Sequence, residues 1–411
     1  MNNNRLKTYN LIITLTLGIY LFLLPWDGYF DLELNFPVVP SYIMLSVLLF
    51  FSFIYIIKKR YIKIFIPKYI FFMFVLLLYV SLSLFWTLPN IGGPTQTAKL
   101  WMYFLALLVI ITIIKNICVN INIILWLYVL GVFSVGMFSF LTSQVPMNRF
   151  TIALDYNPTW YAAFIVWAIV LAIKLILNST TYSRIFLIII TVFLLFFLLL
   201  TQGRNALLSL SLSFLIVSIV HIRTFRTILK KRIKSIVKYI SSVGLVIVIV
   251  VLLVNHLELE GQLERVSRIQ ELFGGDTYLA TSGRNLIWKD YLKNIDEKNV
   301  FGVGIESSSF IYDNITSNQT THNSYLQIFI ELGLIGLTLW ILFLWHLYKY
   351  SNQNITTQFY LLWITLITIF MAIGNDIFTY KYWWTGLFIF SIISIEQEGK
   401  NSKISNKIKR S

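Results

Sequence analysis

The sequence predicts an all-α polytopic membrane protein of about twelve transmembrane helices with one large polar loop. Three observations predict it. The chain is 57% hydrophobic and only 12% charged, with a mean hydropathy of +0.75, whereas a soluble domain carries about 25% charged residues. The apolar residues fall in long continuous runs, not in the alternating segments of about ten residues that mark a transmembrane β-barrel. A single polar stretch of about 70 residues, 255–324, interrupts the apolar pattern late in the chain.

The apolar runs, in order, are 11–25, 38–57, 69–86, 100–114, 123–141, 160–177, 185–200, 206–220, 239–254, 325–345, 359–374 and 383–395. Several are shorter than the roughly 20 residues that span a bilayer. The first opens on Arg5 and Lys7, like a signal segment. It runs into Pro25-Trp26-Asp27 with no small-residue cleavage site and reads as a retained helix. The organisation is therefore helices one to nine over 1–254, an extracytoplasmic loop over 255–324, helices ten to twelve over 325–395, and a basic cytoplasmic tail over 396–411.

Charge sets the expected orientation. With the N-terminus in the cytoplasm, the inner segments hold most of the 33 basic residues. These include the runs from Lys58 to Lys68 and from Arg223 to Lys238, and the tail from Lys400 to Arg410. Basic flanks on the cytoplasmic side are what topology alone requires, so the net charge of +15 does not call for a nucleic-acid partner. Trp26, Trp86, Trp101, Trp160, Trp383 and Trp384 fall at the predicted outer ends, as interfacial anchors do. Cys118 is the single cysteine, which excludes an internal disulfide.

The long loop carries two helical patterns. Leu263, Val266, Ile269, Leu272 and Phe273 share one face, and Ile287, Trp288, Tyr291, Leu292 and Ile295 share another, with Thr281 or Ser282 at the capping position of the second. Amphipathic helices of this kind pack on a membrane mouth or on each other.

Common soluble-enzyme chemistries leave no trace. There is no nucleotide-binding loop, no HExxH, no GxSxG and no cysteine–histidine pair. His221, His256, His322 and His346 are scattered without metal-ligand spacing. What remains is a set of cations and one histidine on the predicted outer side. Arg204 lies in Thr201-Gln202-Gly203-Arg204-Asn205, a break too short for a loop, so it sits on a tight hairpin near the membrane surface. A cation there either snorkels to lipid phosphates or forms a fork for a phosphate-bearing ligand. Arg284 opens the second loop helix; alone it would be an ordinary solvated arginine. Arg149 precedes Asp155-Tyr156-Asn157-Pro158-Thr159, and Lys99 stands at the start of the fourth run, where a flanking charge is also expected. His322 immediately precedes the tenth run and is followed by Asn323, Gln327 and Glu331. Glu331 is an acid about two turns into an apolar span, which marks either function or a paired structural group.

Four blocks in order carry a resemblance. They are Arg149 with Asn157-Pro158-Thr159; Thr201-Gln202-Gly203-Arg204-Asn205-Ala206-Leu207-Leu208; Ser282-Gly283-Arg284 with Trp288 and Phe301-Gly302-Val303-Gly304; and His322-Asn323-Ser324-Tyr325-Leu326-Gln327 with Glu331-Leu332-Gly333-Leu334-Ile335-Gly336-Leu337. In these the chain resembles the O-antigen ligase and O-antigen polymerase superfamily of bacterial lipid-linked glycan ligases and polymerases. The resemblance implies a membrane glycosyltransferase of the GT-C type, acting in O-antigen, capsule or exopolysaccharide synthesis. It implies an undecaprenyl-diphosphate-linked oligosaccharide donor, a glycan or lipid-core acceptor, and neither metal nor other cofactor. Arg204 and Arg284 would hold the diphosphate and steady its charge, and His322 would take the proton of the acceptor hydroxyl, since an imidazole titrates near neutral pH. Arg149, Lys99, Asn323 and Glu331 would contact substrate. Membrane lipid, a flippase and a chain-length regulator are the implied partners. Ligase and polymerase share these blocks, and the polymerase reading is preferred.

Two rivals come from other classes. A lipid-linked glycan flippase would line its spans with charge, yet only Lys174 and Glu331 are deep in the apolar runs. A peptidoglycan polymerase of the shape-and-division family would carry a catalytic acid in an outer loop, where this chain has arginines and a histidine. The orientation common to these enzyme readings is testable by cysteine labelling in a Cys118→Ala background. Asn318→Cys reacts with an impermeant reagent on intact cells, and Lys231→Cys reacts only after permeabilisation; the opposite pattern overturns the topology.

Overall fold

The computed structural model describes residues 3–32, 39–59, 66–87, 92–117, 119–142, 150–151, 157–221, 283–293, 300–308, 321–352, 358–375 and 378–408. Among these residues every regular element is helical: α1 (Asn3–Leu23), a single 3-10 turn (Leu24–Trp26), α2 (Asp27–Leu32), α3 (Pro40–Lys59), α4 (Lys68–Ser83), α5 (Gly92–Asn116), α6 (Ile121–Thr142), α7 (Pro158–Asn178), α8 (Thr181–Leu200), α9 (Arg204–Val220), α10 (Arg284–Lys293), α11 (Ser324–Ser351), α12 (Gln358–Gly374) and α13 (Lys381–Ile408). Among the described residues six helices are long and apolar enough to cross a membrane, and four shorter apolar helices accompany them. The apolar runs of the sequence fall on these helices. The run 239–254 and the amphipathic pattern 263–273 lie outside the described residues, while the second loop pattern is α10.

The chain forms two compact units. Unit 1 comprises Met1–Lys63, Ile113–Ser267 and Glu398–Ser411. Within it α1 packs on α3 and α6, and α7 packs on α6, α8 and α9. α1 comes close to α6 because Gly131 has no side chain: a Cβ there would run into the backbone of Phe22. Small residues at such crossings are how membrane helices gain packing when no water is being expelled. Asp27, buried at the start of α2, accepts bonds from the backbone N–H and hydroxyl of Ser41 in the first turn of α3, so a carboxylate sits at the positive end of that helix. α7 is the buried centre of the unit. Its start follows from the sequence: Pro158 occupies the first turn, where its missing N–H costs nothing, and the Asn157 side-chain oxygen accepts from the N–H of Thr159 at 2.9 Å. The hydroxyls of Tyr128 and Tyr161 tie α6 and α7 together through the carbonyls of Phe164 and Val132.

Unit 2 comprises Ile64–Thr112 and Arg268–Gln397, and in it α11 packs on α4 and α12. An aromatic cluster of Trp340, Phe343, Phe378 and Trp383 fills its core, with the Trp340 and Trp383 rings 5.1 Å apart. The sequence places Trp383 and Trp384 at an interface; in the fold both are buried. They pack against neighbouring rings, and the Trp384 indole donates to the Phe378 carbonyl. Burial among aromatics outweighs the interfacial preference here, because their apolar area is fully used.

α11 is not continuous. Gly333 breaks it with φ 67° and ψ −166°, a conformation essentially reserved for glycine. The segment 300–308 fills the break: Val303 and Gly304 donate their N–H groups to the carbonyls of Ile330 and Glu331 at 3.1 and 2.8 Å. Gly302 and Gly304 have positive φ, and a Cβ on Gly302 would strike the Glu331 carbonyl and the Gly333 nitrogen. The glycines of the sequence block Phe301-Gly302-Val303-Gly304 are therefore steric requirements. Gly333→Ala, whose Cβ would meet the carbonyl of Val300, is expected to destabilise the protein by at least about 2 kcal/mol. The check is the thermal midpoint of the purified protein in detergent. A midpoint equal to that of the parent would show that the break tolerates a side chain.

Candidate active site

The polar residues singled out in the sequence divide between the two units. Arg204 belongs to unit 1, as the first residue of α9. The hairpin before it is as tight as expected. Thr201, buried, donates its hydroxyl to the Leu198 carbonyl at 2.7 Å and accepts from the N–H of Gly203 at 3.3 Å. Gln202 turns the chain with φ 53°. A Cβ on Gly203 would crowd Ala162 of α7, so this turn too needs its glycine. Arg149 lies outside the described residues.

Unit 2 holds the rest. The beginning of α11 is capped by Asn323, whose side-chain oxygen accepts from the N–H groups of Tyr325 and Leu326 at 3.0 and 3.2 Å. His322 is therefore not the cap. It stands one residue earlier, half-buried, with φ 49°. Positive φ at a non-glycine residue is uncommon and costs about 1–3 kcal/mol when the surroundings hold it in place. Among the described residues the non-glycine positions with this feature are Gln202, Glu306 and His322, and each lies within or beside a sequence block picked out for its chemistry.

The turn around His322 is closed from several directions. The Thr321 hydroxyl donates to the Asn323 carbonyl at 3.1 Å and accepts from the Asn323 N–H at 3.3 Å. The Trp288 indole of α10 donates to the Thr321 carbonyl at 2.8 Å. Ser324 donates to the Asn375 carbonyl at 2.7 Å, and the guanidinium of Arg284 donates to the carbonyl of Gly374. The end of α12 thus offers two consecutive carbonyls, one to Arg284 and the other to the residue that opens α11. By this the fold brings Arg284, His322 and Asn323 together. Beneath them a small apolar core of Tyr291, Ile330, Ile287, Val303 and Leu326 fixes α10 onto α11.

Glu331 lies two turns further along α11, 2% exposed. Its carboxylate accepts from the Ser308 hydroxyl at 2.6 Å and the Gln327 amide at 3.4 Å. The residue stitches the segment 300–308 to the broken helix, which is the paired structural role that an acid in an apolar span requires. Lys99 is exposed on α5, one turn after Gln96, whose amide donates to the Thr379 carbonyl. Among the described residues no group of three or more His, Cys, Asp or Glu side chains is placed to hold a metal. An open groove of about 450 Å³ runs along α10, lined by Asn285, Trp288, Lys289, Leu292 and Lys293.

Residues 189–341 match the family model of O-antigen ligases. The resemblance drawn from the sequence blocks is thereby supported over these residues. The match covers less than half of the chain. It takes in the Arg204 hairpin, α10 with Arg284 and Trp288, the segment 300–308, the His322 turn and the break at Gly333, and begins after Arg149 and Asn157. No curated protein matches the chain at a significant level.

Sequence reasoning missed Ser308 and the 374–375 turn. Each acts through a backbone carbonyl or a partner far along the chain, so no local pattern marks it. Ser324 and Trp288 stood in sequence blocks, but without the partners they have in the fold.

Proposed function

We propose that this chain is a metal-independent glycosyltransferase of the bacterial cytoplasmic membrane. It takes a glycan from an undecaprenyl diphosphate carrier at the outer face and joins its reducing-end sugar to a hydroxyl of the acceptor, acting as a polymerase of O-antigen, capsule or exopolysaccharide repeats or as a ligase. The observation that carries the reading is the joint anchoring of Arg284 and the His322 turn on the carbonyls of Gly374 and Asn375. A guanidinium and an imidazole fixed to one frame are what a transfer from a diphosphate needs.

The step balances without a co-reactant. His322 accepts the acceptor's hydroxyl proton as that oxygen attacks the anomeric carbon. The bond from that carbon to the diphosphate oxygen breaks, and the electron pair leaves with the diphosphate. Arg284 stabilises the charge that develops there; a preorganised cation does so without reorganising during the reaction. The groove along α10, with the Trp288 ring and two lysines, is the proposed path of the acceptor glycan. The resemblance assigns Arg204, which opens α9, to the diphosphate as well, and Arg149 and Lys99 are proposed as auxiliary contacts.

His322→Asn isolates the base. Asparagine tolerates positive φ, so the turn is kept while the imidazole is lost. Turnover should fall by about 10²- to 10⁴-fold, with binding of the lipid-linked donor retained. Near-normal turnover of purified His322→Asn enzyme ends the base assignment.

The cations are tested in cells. Arg204→Ala and Arg284→Ala should each abolish long-chain glycan while the protein still reaches the membrane. The corresponding lysine variants should rescue poorly, since a point charge does not replace a two-pronged fork. Normal glycan in both alanine variants at parental protein levels removes the diphosphate role.

A further inference from the structure

We propose that Trp288 is a positioning residue for His322, acting through the carbonyl of Thr321. The inference rests on the reading of His322 as the general base. The starting point is the left-handed conformation of His322, with φ 49°. A strained residue keeps such a conformation only where its surroundings over-determine it. The bonds between Thr321 and Asn323 are local to the turn and would travel with it if it moved. Ties to other elements hold it on both sides. On the C-terminal side Ser324 is bonded to Asn375, and on the N-terminal side Trp288 is bonded to the Thr321 carbonyl. His322 is bracketed between them.

Thr321 is 1% exposed, so its carbonyl has little water to turn to if the indole is removed. Trp288 itself has little freedom, because Tyr291 and Ile287 of the same helix are packed against Leu326 and Ile330 of α11. Arg284 and Trp288 are four residues apart on α10. They therefore lie on one face about one turn, roughly 6 Å, apart along its axis. One helix carries both the proposed diphosphate cation and the N–H that fixes the turn of the proposed base. α10 thereby sets the spacing between the leaving-group end and the proton-accepting end of the reaction. Misplacement of a reacting group by about 1 Å costs on the order of 10²-fold in rate.

A double-mutant cycle in purified enzyme distinguishes positioning from simple packing. Trp288→Phe keeps a ring but removes the N–H. It should lower kcat by about 10- to 100-fold and leave KM for the lipid-linked donor unchanged. In the His322→Asn background the same change should have no further effect, because its target is already gone. An equal loss in both backgrounds, or a wild-type kcat in Trp288→Phe alone, overturns the proposal. If Trp288→Phe fails to fold, replacing Trp288 by 3-benzothienyl-alanine exchanges only the N–H for sulfur, and the same two outcomes apply. His322→Asn with near-normal turnover would instead overturn the base reading, a result separable from failure of the Trp288 tie.

Discussion

A helix in an apolar environment has nowhere to send a backbone carbonyl except to another protein group, because an unsatisfied one costs several kcal/mol. α11 nonetheless breaks at Gly333. The carbonyls of Ile330 and Glu331 are satisfied by the N–H groups of Val303 and Gly304. Much of unit 2 follows from this exchange. It draws the segment 300–308 into contact with the helix, it demands glycine at 302 and 333, and it leaves Glu331 facing Ser308. Val303 then completes the apolar core that seats α10. With α10 in place, Trp288 reaches the Thr321 carbonyl of the His322 turn, and Arg284 reaches the Gly374 carbonyl, next to the one that receives Ser324.

The arrangement stores strain where chemistry is proposed. His322, Glu306 and Gln202 all hold positive φ without being glycine. Each is boxed in by neighbours with firm hydrogen bonds: Thr321 and Asn323 around His322, Thr201 and Gly203 around Gln202, and the Ser308–Glu331 tie just after Glu306. Glu331 also illustrates how an acid survives in an apolar span. Its hydrogen bonds give it a structural occupation, which is not the open charged lining that a transport pathway would need.

Much of the helical plan was legible in the sequence, because long apolar runs have few alternatives once backbone groups must be paired internally. The amphipathic pattern after Gly283 predicted α10, and the short interval between Leu200 and Arg204 foretold a hairpin. The site was legible in its residues but not in its connections. Arg284 meets a carbonyl 90 positions away, Trp288 one 33 positions away, and Ser308 an acid 23 positions away. No periodicity encodes such distances. The break in α11 was also hidden, since glycine is common in membrane helices and only the close approach of Gly302 shows why this one is bent. Trp383 and Trp384 misled for a related reason: their amphipathic rings suit an interface and an aromatic core equally well.

The central claim is that a glycosidic bond forms at the expense of a carbon–oxygen bond to a lipid diphosphate, with only this chain's side chains as catalysts. The most direct measurement supplies purified protein with an undecaprenyl-diphosphate-linked repeat unit and an acceptor, without nucleotide and in excess chelator, and analyses the lipid product by mass spectrometry. The account predicts one undecaprenyl diphosphate released for each glycosidic bond formed. Release of undecaprenyl monophosphate, which would mean cleavage between the phosphates, or a requirement for nucleotide or metal, would contradict it.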